Sequence, residues 1–318
     1  MKKIKLLLFL VVVSFLLMGQ EGCQSGGNGG GESKNKIDPY IGGTRGLSIQ
    51  YAEGAPPSEV FDNKQWTFDV EVKLNNVGEA DVDKDDVLVK LSGLNPADFG
   101  KTESSFIKRG INEDIYSTRK DFEGNVIEAP EVYVTFTGLT FQDELSGNQE
   151  FPVRADVCYT YETEAQADGC IREDVLSVDA DAVCQVNEEK TVYNSGAPIQ
   201  VTAFQEQSSG SDKVRYLFTI EHQGTGRVFL PRSECPSGRS SENKIHFKIE
   251  SNVADLNCNG LIDGSGKEGN ILLNNGQRVL QCVQQTKSNL DYIDKVQITL
   301  SYDYKEFFEQ PLLIKKSS

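Results

Sequence analysis

Apolar and polar side chains alternate with a period of two along most of this chain, and that period is what most restricts its fold. Phe68, Val70, Val72 and Leu74 are separated by Asp69, Glu71 and Lys73, as in a strand with one face buried and the other in water. The habit returns at Val87, Val89 and Leu91, at Val132, Val134 and Phe136, and along Val153, Ala155, Val157, Tyr159 and Tyr161. It continues in Ile199, Val201 and Ala203, in Val214, Tyr216, Phe218 and Ile220, in Ile245, Phe247 and Ile249, and from Val296 to Tyr304. No long amphipathic helix follows the first twenty residues or so, so the sequence predicts an all-β protein.

The strands fall into two similar series, and repetition identifies the structural unit. Leu74-Asn75-Asn76-Val77-Gly78 ends a strand in the first series, and Glu221-His222-Gln223-Gly224 ends one in the second. Later, Tyr159-Thr160-Tyr161 is answered by Tyr302-Asp303-Tyr304. The interval from Gly78 to Tyr159 is 81 residues and that from Gly224 to Tyr302 is 78. Two units of roughly 130 residues, each with about seven short strands, fit two tandem immunoglobulin-like β-sandwiches. The expected extents are 38–182 and 183–318, joined by a polar connection near Asp179-Ala180-Asp181-Ala182. The Tyr-x-Tyr side chains then point into the cores as packing.

Ahead of these units, Met1-Lys2-Lys3-Ile4-Lys5 precedes an apolar run from Leu6 to Met18 broken only by Ser14. The run is shorter than the roughly 20 residues a spanning helix needs, so residues 1–22 are expected to be a signal peptide. Gly22 precedes Cys23, and a Gly/Ser-rich spacer occupies 23–37. This is the arrangement of a lipoprotein, with lipidation expected on Cys23 and membrane lipid as its first partner. Gln20 and Glu21 depart from the bacterial lipobox, and the alternatives are an ordinary cleaved signal with a free Cys23 or an uncleaved N-terminal anchor. Either way the mature chain is placed outside the cytoplasm, on the cell surface.

An exported chain that keeps an even number of cysteines is read as disulfide-bonded. Without Cys23 there remain Cys158, Cys170, Cys184, Cys235, Cys258 and Cys282. Cys158 and Cys170 flank a stretch, Thr163 to Ala165, read as a hairpin turn, and are expected to pair. The other four allow three connectivities. No two cysteines have C-x-x-C spacing, which argues against zinc or dithiol redox chemistry. The formal net charge of -16 excludes the basic footprint of a nucleic-acid binder.

Certain runs resemble a family. Gly43-Thr44-Arg45-Gly46-Leu47, Gly54-Ala55-Pro56-Pro57-Ser58-Glu59-Val60, Asn76-Val77-Gly78-Glu79-Ala80-Asp81-Val82, Leu91-Ser92-Gly93-Leu94, Cys158-Tyr159-Thr160-Tyr161-Glu162-Thr163 and Asn194-Ser195-Gly196-Ala197-Pro198 are similar to uncharacterised archaeal surface lipoproteins of small-genome lineages. The resemblance implies paired β domains and an exterior location. It carries no catalytic residues.

Two local motifs invite a cation. Asp255-x-Asn257-x-Asn259-Gly260-x-Ile262-Asp263 matches the first nine positions of an EF-hand-type calcium loop, with ligands from Asp255, Asn257, Asn259, the Leu261 carbonyl and Asp263. Position twelve holds Gly266 where a bidentate Glu is needed, and a disulfide-pinned Asn/Gly turn is the competing reading. Asp81, Asp83, Asp85 and Asp86 form an acidic run between strands, read as a solvated turn. Only His222 and His246 could serve a nucleophile, and neither lies in a motif. The chain is therefore expected to be a non-enzymatic binding, adhesion or envelope module without an obligatory cofactor, meeting other surface proteins or another cell. The alternatives are an accessory subunit of an extracellular hydrolase or transporter, and a structural spacer.

Overall fold

The computed structural model describes residues 38–317 apart from 178, 236–239, 253–254 and 287. The expected signal peptide, Cys23 and the expected spacer, all within residues 1–37, lie outside the described residues. Among those described, no helix is long and apolar enough to cross a membrane.

Alternating side chains become strands throughout. The first half contains β1 (Leu47–Tyr51), β2 (Glu59–Phe61), β3 (Thr67–Asn76), β4 (Val87–Ser92) and β5 (Ile107–Arg109). A small ribbon, β6 (Arg119–Lys120) with β7 (Val126–Ile127), precedes β8 (Val132–Thr140) and β9 (Gln149–Ile171). The second half begins with β10 (Glu188–Lys190), β11 (Val192–Asn194), β12 (Ile199–Ser208), β13 (Lys213–His222) and β14 (Arg227–Phe229). It continues through β15 (Lys244–Glu250), β16 (Asn257–Asn259), β17 (Ile262–Ser265), β18 (Glu268–Leu272), β19 (Gln277–Gln285) and β20 (Tyr292–Lys315).

A three-stranded sheet β1-β3-β8 and a five-stranded sheet β10-β12-β13-β19-β16 lie over one large sheet, β17-β18-β15-β20-β9-β4-β5. Inward residues of β3, namely Phe68, Val70, Val72 and Leu74, are buried as the alternation requires. Between layers, Tyr51 of β1 meets Phe308 of β20 edge-on at 5.5 Å, and Phe99 links Phe68 of β3 to Phe151 of β9. In the other half Tyr216 of β13 reaches Gly169 of β9 so closely that an added Cβ would stand 3.0 Å from its hydroxyl.

The large sheet is organised by two long strands. β9 and β20 run antiparallel from Gln149 opposite Ile314 to Ile171 opposite Tyr292. At about 3.3 Å per residue they extend roughly 75 Å, far beyond the usual strand. Each therefore serves both halves. Residues 154–159 of β9 pair with β4, while 165–167 pair with β11 of the second half. Residues 297–301 of β20 pair with β15, while 313–315 pair with β2 of the first half.

This continuity corrects the cysteine pairing. Thr163 to Ala165 is no turn: Tyr161, Thr163, Ala165 and Ala167 are successive buried positions on one uninterrupted face of β9. Cys158 and Cys170 stand twelve residues apart on that strand, about 40 Å at 3.3 Å per residue, where a disulfide spans Cα atoms no more than about 7 Å apart. The bonds are instead Cys158–Cys235, Cys170–Cys184 and Cys258–Cys282. The first joins the two halves, and the second ties the connection after β9 back to that strand.

Candidate functional site

The repeated sequence features meet where the long strands cross from one half to the other. Tyr161 lies opposite Tyr302 and Tyr159 opposite Tyr304, so the pair Thr160 and Asp303 is the centre about which the two copies exchange places. Thr160 Oγ1 donates to Asp303 Oδ1 at 2.8 Å. On each side a tyrosine hydroxyl holds the strand-end segment. Tyr161 Oη donates to Asn76 Oδ1 at 3.0 Å and accepts from Ala80 N at 3.3 Å. Tyr304 Oη lies 2.9 Å from His222 Nε2 and accepts from Gly226 N at 2.8 Å. Burial lowers the His222 pKa, which favours a neutral ring whose Nε2 can accept the tyrosine proton. Burial likewise raises both tyrosine pKa values, so the hydroxyls stay protonated.

Glycine is required at the matching turns. A Cβ on Gly78 would lie 2.2 Å from Tyr161 Oη, and one on Gly224 would lie 2.2 Å from Tyr304 Oη. The backbone repeats as well. Val77 N and Gly78 N donate to Gly46 O, and Gln223 N and Gly224 N donate to Pro198 O. These matches place Gly46 and Leu47 as counterparts of Pro198 and Ile199.

Each half opens a cleft beside its tyrosine. The first, about 660 Å³, is lined by Glu79, Asp81, Asp83, Asp86, Glu162 and Glu164 among others. Its acids are mostly engaged internally. Glu79 accepts from Ile41, Gly42 and Gly196 amides, Asp81 from Ser117 N and Arg119, and Glu162 from Ser301. Asp83 caps the short 3-10 turn Lys84–Asp86 by accepting from Asp85 N. Burial first, then the charges of Asp83, Asp303 and Asp85, raises the Asp86 pKa, against the opposing pull of Arg232.

The second cleft, about 680 Å³, has the opposite character. Arg45, Arg154, Arg227 and Lys305 line it together with Leu47, Ile49, Phe307 and Phe308. Across the repeat, Asp81 corresponds to Arg227, Glu162 to Lys305 and Glu164 to Phe307. The Arg154 guanidinium stacks 3.6 Å from the centre of the Phe307 ring, a ring 56% exposed. Arg154 and Lys305 share Asp156 at 3.0 and 3.8 Å, and Arg227 bonds Glu242. On the inner side Tyr159 Oη accepts from Leu47 N and donates to Glu306. Desolvation raises the Glu306 pKa, against the pull of the Tyr159 hydrogen bond and Arg45. This cleft is not visible in local sequence because its cations come from four separated segments; the glycine-turn and Tyr-x-Tyr repeat marks its place.

The calcium motif is laid out differently from an EF-hand loop. Asn257 and Asn259 belong to β16, whose central Cys258 is bonded to Cys282 directly across on β19. Asp263 lies on β17, after the turn at Gly260. Asp255 and Asn257 share a shallow pocket with Lys213 and Lys267. Cys158, Cys235 and Asp303 are the one group of three His, Cys, Asp or Glu ligand atoms gathered within metal-binding distance among the described residues. The two sulfurs are bonded to each other, and Asp303 accepts from Thr160, Arg232 N and Ser233. His246 bonds Asn270 and Glu268.

No protein-family model matches the chain, and no curated protein does. Among solved structures, the secreted serine protease VesC from Vibrio cholerae is similar over 81% of this chain and 50% of that one, at 10% identity and a TM-score of 0.18. The chain thus spans half the length of that protease, and a likeness of this size defines neither fold nor activity. What the structure defines is an all-β protein with three disulfides, which fit an extracellular setting.

Proposed function

We propose that this is an exported, surface-held binding module without catalytic activity, whose basic cleft takes an acidic partner. The supporting observation is the concentration of Arg45, Arg154, Arg227 and Lys305 around an exposed aromatic ring on a chain whose net charge is -16. Cations grouped in a cleft, here four against the two acids Asp156 and Glu306 of the same lining, steer and orient an anionic group. The two halves are read as immunoglobulin-like sandwiches that share their long strands, tethered through Cys23. The partner is another surface protein or a protein of a neighbouring cell.

The reading is tested on intact cells. A photo-crosslinking residue in place of Thr225, on the rim of the cleft, should yield discrete adducts with a second protein, and R45E/R227E should remove them. Recovery of the protein in the cytosol with its cysteines reduced, or adducts unaffected by the charge reversal, would defeat it. Adducts that consist only of an enzyme complex would favour the accessory-subunit reading.

A further inference from the structure

We infer that the basic cleft is an acceptor site for an extended peptide strand, which adds to the bare edge of β20; the inference rests on reading that cleft as a binding site. The molecule itself supplies the comparison. In the second half, β11 pairs with Ala165–Ala167 of β9. The counterpart of those residues across the repeat is Phe308 to Gln310 of β20. There no strand is present among the described residues: β14 pairs with β20 as far as Lys305, and β2 begins only at Leu313.

The bare edge presents usable backbone groups. Leu313 N donates outward to Ser58 O, so odd-numbered residues of this stretch direct N–H and C=O away from β9. Phe307 and Glu309 are such residues. Pro311 is a third, and proline is accepted in a sheet where its missing N–H faces an open edge. The cavity is lined by Glu306 and Phe308 from one face of β20 and by Lys305 and Phe307 from the other. It therefore wraps around the edge.

Among the described residues the opposite wall is also unpaired. β1 is the end strand of its sheet. Ala52 N donates to Glu71 O and Val77 N to Gly46 O, so even-numbered positions face β3 and Ile49 directs its backbone into the cleft. Its counterpart in the second half is Val201. There Asn194 of β11 fills the role: Val201 N donates to Asn194 Oδ1 at 2.8 Å, and Asn194 Nδ2 donates to Val201 O at 3.0 Å. The occupant of the first half is thereby specified. It is a short extended segment of a partner protein, with an apolar or aromatic residue and an Asn like those of Val192-Tyr193-Asn194, and with acidic flanks to meet Arg45, Arg227 and Lys305. Strand addition of this kind takes its affinity from main-chain hydrogen bonds and its choice of partner from side chains.

The probe is the synthetic peptide Glu-Glu-Lys-Thr-Val-Tyr-Asn-Ser-Gly, the chain's own sequence around β11, titrated against the full mature protein by fluorescence anisotropy and amide hydrogen exchange. Binding should slow exchange of the Phe307, Glu309 and Ile49 amides at least tenfold. Replacing the peptide's Asn by Ala should weaken it about tenfold, as should F307P, which deletes one outward N–H, and R45E/R227E. A peptide no better than its scrambled version overturns the inference, as does binding that leaves those three amides unprotected. Self-association of the protein through the cleft, blocked by R45E/R227E, also overturns it by making a second copy the occupant. Cell-surface adducts that persist when the peptide fails leave the binding function standing and remove only the strand mechanism. The exchange measurement uses the unmodified protein, so it decides the matter even if F307P does not fold.

Discussion

Tyr161 and Tyr304 perform the same task from strands that pair with each other: one holds Asn76 and Ala80, the other His222 and Gly226. Removing either hydroxyl takes away the partner of a part-buried backbone N–H, that of Ala80 or that of Gly226, at the edge of its cleft. The net loss of one such hydrogen bond costs about 0.5–1.5 kcal/mol. We expect Y161F and Y304F each to lower the unfolding free energy by about that amount in urea titrations. A change below about 0.5 kcal/mol in both would show that the hydroxyls bridge the halves without holding them. G78A and G224A should cost more than the Phe variants, since each Cβ would displace the whole tyrosine ring.

Because β9 and β20 belong to both halves, neither half keeps its sheet when the other melts. Calorimetry of the protein should show one transition, with the same midpoint by near- and far-ultraviolet circular dichroism. Cleavage in the connection around Ala180 should leave the two fragments associated through their shared strands and the Cys158–Cys235 bond. Two separate transitions, or release of a folded fragment after cleavage and reduction, would contradict the shared-strand architecture.

The strands were legible because burial on one face writes itself into every second residue: Phe68, Val70, Val72 and Leu74 are inward in β3 as the pattern requires. The repeat was legible for the same reason, through Gly78, Gly224 and the tyrosine pairs. What local patterning could not show is which strand continues into which sheet. Thr163-Glu164-Ala165, expected as a turn, contains no Gly, Pro, Asn or Asp, and its alternation never breaks. The pairing of Cys158 with Cys235, 77 residues away, follows from that continuity. The basic cleft was hidden too, since Arg45, Arg154, Arg227 and Lys305 come together only after β9 and β20 have paired.

The disulfides can be ranked by the loops they close. Cys158–Cys235 encloses a separation of 77 residues and Cys170–Cys184 one of 14. In the chain-entropy model the longer loop stabilises by about 1.5 kcal/mol more. C158A/C235A should therefore lower stability more than C170A/C184A, and a non-reducing peptide map should recover 158–235, 170–184 and 258–282 as the linked pairs. Recovery of a 158–170 peptide would overturn the assignment.

Glu206 gives the fold a pH dependence of definite sign. Its carboxylate is fully buried, accepting from Cys170 N at 2.9 and 3.1 Å and lying 3.3 Å from Lys190 Nζ. Desolvation outweighs these partners and moves its pKa up to about 7 from an ordinary 4.5. An acid whose folded pKa is raised holds its proton in the native state while the unfolded chain has already released it. Native stability is therefore favoured below pH 4.5 and falls as pH rises from there through 7, by on the order of 3 kcal/mol in all. Other groups add their own slopes, so the measurement is a difference. E206Q keeps an acceptor for the Cys170 amide and cannot ionise. Urea titrations at pH 5 and pH 8 should show the wild type losing stability with rising pH by about 2–3 kcal/mol more than E206Q does. Equal changes in the two proteins would mean that Lys190 keeps Glu206 ionised throughout, and that the buried pair is an ion pair at every pH tested.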